Sequence, residues 1–344
     1  MRKMVAQAWL LALFAGVFLA PSAAAGAPSP PPDAPSILAG TAADLTWLEF
    51  EAAAKSGAVI LWAIGSIEEH GPHLPLATDT YVPANELARV QRTLSAEGVS
   101  SIILPPYYWG VNHVTGAFPG SIHIRPETMS ALLQDVFQSV GRSGFRDLFL
   151  ITGHYDAAHN RAISDAVRKA RLTQGPNVTF VVPAALGTRI GLTRGEPGFA
   201  FADLPAADPN APPDLHAGKT ETSMMLAGAP ATVRTGKIAR LPPTRLDAAE
   251  LAVWRRGQEH ARALTPGGYL GAPAQASAAL GETVLADEAA AYARAISAAL
   301  GTRQEKARDT SSRTQPNHGR TASRSEASGG FAAVAEARTP TLQD

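Results

Sequence analysis

Between Glu68 and Asp79 the chain gathers four side chains that can hold a divalent cation, Glu68, His70, His73 and Asp79, with Glu69 among them. Glu68 and His70 are two residues apart, so in an extended chain they point to the same side. Asp79 lies past a turn and can swing back to share an ion with either. A carboxylate placed between two ions, about 3.5–4 Å apart, is the usual bridge of a two-metal hydrolytic site. Gly71, Pro72 and Pro75 forbid a helix here and stiffen the loop. Two further concentrations follow: Thr152-Gly153-His154-Tyr155-Asp156, and His216-Ala217-Gly218-Lys219-Thr220-Glu221. Ser66, Ser121 and Ser223 have no Gly-x-Ser-x-Gly elbow around them, so no serine nucleophile is expected.

Buried strands must position these groups. Ala58 to Ile64 is an unbroken apolar run between Gly57 and Gly65, and Phe145 to Ile151 is another that ends just before His154. If the two strands are neighbours, their loops converge on one crevice, where open parallel sheets bind ligands. Further strands are expected at 101–105 and 178–182. Helices are expected after Thr46, over 80–97, 125–143, 157–173, 245–264 and 284–300. The alternation predicts one three-layer α/β/α domain with a mainly parallel sheet, over 37–302. Residues 184–215, rich in Gly, Pro and Asp, read as a long irregular loop over the site.

Bulk properties narrow the function. Thirty basic and thirty acidic side chains give no net charge, against a nucleic-acid or anionic-membrane partner. There is no cysteine, so disulfides, thiolate metal sites and cysteine nucleophiles are excluded. Any metal must use His, Asp and Glu, a set that suits Zn, Mn or Fe. Residues 1–25, with Arg2 and Lys3 before an apolar core and Ala23-Ala24-Ala25 at the end, read as a cleaved export signal. The expected destination is a periplasm, with no membrane attachment after cleavage. Residues 26–36 read as a linker, and 303–344 as a disordered tail.

The stretch Gly65-Ser66-Ile67-Glu68-Glu69-His70-Gly71-Pro72-His73-Leu74-Pro75-Leu76-Ala77-Thr78-Asp79 resembles the signature of the creatininase family. That resemblance implies a metal-dependent amidohydrolase of α/β/α fold, in which two divalent ions share an aspartate, and a homo-oligomer, a hexamer. It implies Glu68, His70, Asp79, His154, Asp156 and Glu221 as metal ligands, His216 as the catalytic proton shuttle and Tyr155 at the substrate. Asp156 stands where creatinine amidohydrolase has a glutamate, and no Trp precedes His216 in 208–215. These departures weigh against creatinine itself. The expected reaction is hydrolysis of a non-peptide C–N bond in a small amide, cyclic or formamide-like, by a metal-activated water. The alternatives are a metallopeptidase of the same family and a metal-holding binding protein without turnover.

Overall fold

The structure, a computed structural model, describes residues 36–205 and 211–314. The expected signal, nearly all of the expected linker and residues 315–344 lie outside the described residues. Helices are α1 (Trp47–Lys55), α2 (Thr78–Ala96), α3 (Pro126–Arg142), α4 (Ala157–Ala170), α5 (Ala184–Arg189), α6 (Lys219–Gly228), α7 (Thr235–Ile238), α8 (Ala248–Trp254), α9 (Glu259–Leu264) and α10 (Ala278–Thr314). Strands are β1 (Val59–Ile64), β2 (Ser101–Ile103), β3 (Asp147–Thr152), β4 (Asn177–Pro183) and β5 (Phe199–Ala202). They form one fully parallel sheet in the order β2-β1-β3-β4-β5.

Both faces of the sheet are covered, which is why all six residues of β1 are apolar and buried. Ile60, Trp62 and Ile64 pack with Leu148, Leu150, Phe180 and Val182 against Met129, Leu133 and Phe137 of α3 and Ile163 and Val167 of α4. The alternate residues Leu61, Phe149 and Val181 are buried toward the opposite face, where α2 lies along β1, β2 and β3. A second cluster joins Leu74 of the first ligand loop to Val82 of α2, Met224 and Met225 of α6 and Leu285 of α10. That cluster fastens the loop to all three helices. At about 1.5–3 kcal/mol per fully buried large apolar side chain, it is a firm anchor.

Three expectations need correction. Residues 184–215 are not one irregular loop, since they contain α5 and the edge strand β5, whose Phe199 to Ala202 pair with Phe180 to Pro183. The helix expected over 245–264 breaks into α8 and α9 at Gly257 and Gln258, both at positive φ. Tertiary bonds hold the break open: Gln258 N donates to the Val114 carbonyl at 2.9 Å and its Nε2 to the His113 carbonyl at 2.8 Å. The tail expected from 303 begins instead as helix, because α10 continues to Thr314. The first compact unit of the chain ends at Ser297 and the second starts at Ala298, so the domain ends within α10.

Candidate metal centre

Ile64 and Thr152, the last residues of β1 and β3, pair in register, so loops 65–77 and 153–156 leave the sheet side by side. Strand order turns at this point, with β2 on one side of β1 and β3 on the other. α2 begins directly on top. A Cβ on Gly65 or Gly153 would stand 2.2 or 2.5 Å from the Asp79 carbonyl oxygen, so only glycine admits the helix here. Pro83, four residues on, has no N–H to give that carbonyl. Asp79 thus sits in the first turn of α2, lowered between two strand ends.

Its carboxylate faces both ways. Oδ1 is 3.1 Å from His70 Nε2, and Oδ2 is 2.8 Å from His154 Nδ1. Glu68 Oε1 also lies 3.0 Å from His154 Nδ1, and Glu221 Oε2 lies 3.8 Å from His70 Nε2. Three groups of donors within 4.8 Å of one another result: Glu68, Asp79 and His154; His70, Asp79 and Glu221; and Glu68, His70 and His216. Asp79 belongs to the first two.

The imidazoles are set as metal ligands commonly are. His70 Nδ1 meets the Glu68 carbonyl at 3.2 Å, and His154 Nε2 meets the Val111 carbonyl at 3.1 Å. A carbonyl only accepts, so these nitrogens carry the protons in the neutral rings. The remaining nitrogens, His70 Nε2 and His154 Nδ1, then aim lone pairs at carboxylate oxygens. Buried His70 Nε2 has no hydrogen-bond partner. Lone pair against carboxylate is repulsive unless a proton or a metal stands between, and His with its other nitrogen on a carbonyl is the usual metal-ligating arrangement. Without metal, protons fill that role. Burial opposes charge on His70, yet Asp79 carries its pKa up to about 9. Burial opposes charge on His154 as well, but Glu68 and Asp79 hold it well above its ordinary value. Burial would raise Asp79, and His70 and His154 hold it well below the usual carboxylate range. Carboxylates and imidazoles buried together in this way fit divalent ions at Glu68, Asp79 and His154 and at His70, Asp79 and Glu221.

His216 is oriented differently. Its Nε2 donates to the Glu69 carbonyl at 2.7 Å and lies 3.3 Å from Glu69 Oε1, while Nδ1 stands 3.9 Å from Glu68 Oε1. Leu270 N donates to the His216 carbonyl at 2.8 Å, and the chain then turns at Ala217, with φ +46°, into α6. Glu221, in the first turn of α6, accepts from Ala217 N at 2.5 Å.

Asp156 stands apart from these groups. It caps α4 with Oδ1 on Ala158 N at 2.8 Å, and its Oδ2 accepts from His113 N at 2.8 Å and Val114 N at 2.9 Å. Tyr155 is partly exposed beside His154, with its carbonyl accepting from Arg189 Nη2. His73 ties the loop to α6 through Thr222 Oγ1 at 2.8 Å, and burial pulls its pKa down to about 4. The family resemblance reaches Tyr108-Trp109-Gly110, His113 and Phe118-Pro119-Gly120-Ser121, but sequence reasoning missed the supporting roles of Asn112 and Thr115 between them. Thr115 Oγ1 donates to Glu68 Oε2, and Asn112 Oδ1 accepts from Ser66 Oγ at 2.9 Å while its Nδ2 donates to the Ile67 carbonyl at 2.8 Å. For those two residues the signal was position, since this loop follows β2 at the same end of the sheet.

Fold and donors define an α/β protein with a centre suited to a carboxylate-bridged pair of ions. The family model for creatininase, described as creatinine amidohydrolase, matches residues 43–296, and the chain belongs to that family. The mycofactocin precursor peptide peptidase of Mycolicibacterium smegmatis is 31% identical over 230 residues, 67% of this chain and 80% of that protein. The creatinine amidohydrolase of Pseudomonas putida is 27% identical over 219 residues, 58% of this chain and 76% of that protein. A crystal structure of creatinine amidohydrolase superposes with a TM-score of 0.53 at 24% identity, covering 77% of this chain and 97% of that one. A structure titled "Creatininase Mn" gives 0.53 at 23%, covering 75% and 97%. At these identities the structural likeness is one of fold.

Proposed function

We propose that this chain is an exported, metal-dependent hydrolase of a C–N bond other than a peptide bond, in a cyclic or formamide-like small amide. The observation that supports it best is Asp79, whose two oxygens face two separate His/carboxylate groups. Glu68 and His154 would hold one ion and His70 and Glu221 the other, with Asp79 between them. Bound there, two ions such as Mn or Zn would acidify a water and polarise the scissile carbonyl. One solved creatininase is a Mn form and another is of Zn-Zn type, which supports those metals here. The chain's own part is proton movement. With its Nε2–H committed to the Glu69 carbonyl, His216 has Nδ1 left to take a proton and return it to the leaving nitrogen. The export reading rests on residues 1–25, and the hexamer on the family resemblance.

A second reading, a peptide amide as substrate, has its own support. A relative at 31% identity is a peptide peptidase. The loops that form the site also carry exposed apolar side chains, Leu76, Trp109, Ile122 and Leu215, which suit an extended substrate. Metal-loaded mature protein assayed against a panel of lactams and formamides beside a peptide library separates the two. Turnover confined to peptides overturns the first reading, and metal binding with no turnover in either panel leaves a binding protein.

A further inference from the structure

We infer that Asp156 is a positioning residue for one ion of the pair rather than a ligand, acting through loop 111–115. The inference rests on the metal reading of the site. The Asp156 carboxylate is buried and fully engaged, with one oxygen on Ala158 N and the other receiving His113 N and Val114 N together. Bonds from N–H to an ionised acceptor are roughly twice as strong as neutral ones, so turning this group toward an ion would break three good hydrogen bonds. Two consecutive N–H groups converging on one oxygen fix the peptide planes at the centre of the loop.

The residues flanking that clamp touch the metal donors. Two positions upstream of His113, the Val111 carbonyl accepts from His154 Nε2 at 3.1 Å and so sets which nitrogen His154 offers the ion. One position downstream of Val114, Thr115 Oγ1 donates to Glu68 Oε2, leaving Oε1 toward His154. Both levers act on the Glu68–Asp79–His154 group. Neither touches His70 or Glu221. A general loss of packing would weaken both ions alike, whereas this clamp acts selectively. Gln258 also grips the loop through the His113 and Val114 carbonyls, so losing Asp156 loosens the clamp without releasing it.

The test is a Mn²⁺ titration of mature protein, with affinities by chelator competition and ion content by elemental analysis. Asp156→Ala and Thr115→Val should each weaken one binding step by about 10–100-fold and leave the other within about threefold, with both steps filling at saturating Mn²⁺. The double variant should weaken the same step by less than the product of the two single effects, because Asp156→Ala already loosens the Thr115 contact that Thr115→Val removes. Asp156→Asn, which keeps an acceptor oxygen, should lie closer to wild type than Asp156→Ala. A step that no concentration of Mn²⁺ fills in Asp156→Ala or Asp156→Asn, while Thr115→Val fills both, makes Asp156 a ligand and overturns the inference. Wild-type affinity in Asp156→Ala, or equal weakening of both steps, also overturns it. If Asp156→Ala fails to fold for want of its helix cap, Thr115→Val leaves the cap intact, and unchanged affinity there is decisive against the lever. A wild-type chain that binds no Mn²⁺ overturns the metal reading itself, and the inference with it.

Discussion

The two ends of the parallel sheet present opposite kinds of surface. At the amino ends of β3 and β4 lies an opening of about 560 Å³ lined by Gln138, Arg142, Arg146, Gln174 and Asn177. Two of its polar side chains have local partners: Arg142 Nη2 bonds Ser139 Oγ at 2.9 Å, and Asn177 Nδ2 bonds Asp147 Oδ1 at 3.2 Å. At the carboxyl ends of β1 and β3, Glu68, His70, Asp79 and His154 are each less than 5% exposed and face one another. Burying a charge costs several kcal/mol unless it is matched. A chain that accepts that cost several times at one point has a use for it, whereas a roomy solvated groove costs nothing. Concentrated buried charge, not volume, marks the working end.

The largest effect that could break this contrast is at Asp79. Asp79→Ala removes a charged donor from both ion groups at once and should abolish binding of both ions. Glu68→Ala, in one of the two groups that share Asp79, should mainly weaken one. Elemental analysis of dialysed protein reads the difference. Full occupancy in Asp79→Ala would show that its oxygens do not bridge.

Next comes His216. If it moves protons rather than holding metal, His216→Ala should keep its ions and lose turnover by roughly 10²–10⁴-fold. Loss of metal in step with activity would instead make it a ligand, through the third donor group with Glu68 and His70.

Acidity sharpens the contrast differently. Without an ion, burial opposes charge on His70, but the Asp79 carboxylate pushes its pKa up from the ordinary 6.5 to about 9. A raised folded pKa gives stability that is complete below 6.5 and is lost as pH climbs through 9, and His154 and His216 shift the same way. Metal needs deprotonated ligands, so its contribution grows with pH. The melting temperature of chelator-treated protein should therefore fall between pH 6.5 and 9, while the gain from added Mn²⁺ should widen over the same interval. A gain independent of pH would mean that the ions bind away from these imidazoles.

The parts of this site legible in the sequence were the local ones. Glu68, His70 and Asp79 fall within twelve residues after a buried strand, and the end of a second such strand marked His154. The hydrogen bonds of Asp156 were not legible, because two of them come from backbone N–H groups more than forty residues earlier. Thr115 was invisible for the same reason, since its value lies wholly in contact with Glu68. The parallel α/β architecture followed from long apolar runs, but β5 has four residues at a sheet edge and too little pattern to stand out. The break at Gln258 came from tertiary bonds that override helical periodicity.

The smallest expected effect tests the other end of the sheet. Arg142→Ala and Asn177→Ala together remove two polar walls of the 560 Å³ opening. The hydrogen bonds of both side chains lie on the surface, and the Arg142 bond joins residues three apart on α3. Surface changes of this kind stay within about 0.5 kcal/mol. The opening lies at the amino ends of the strands, with the length of β3 between it and Asp79. The double variant should therefore bind both ions with wild-type affinity and melt within a few degrees of wild type, about what 0.5 kcal/mol each allows in a domain of this size. Isothermal titration with Mn²⁺ and a thermal melt suffice, and neither requires a known substrate. A tenfold change in either binding step would mean that the amino ends of the strands communicate with the metal centre, and the division between the two ends would fail.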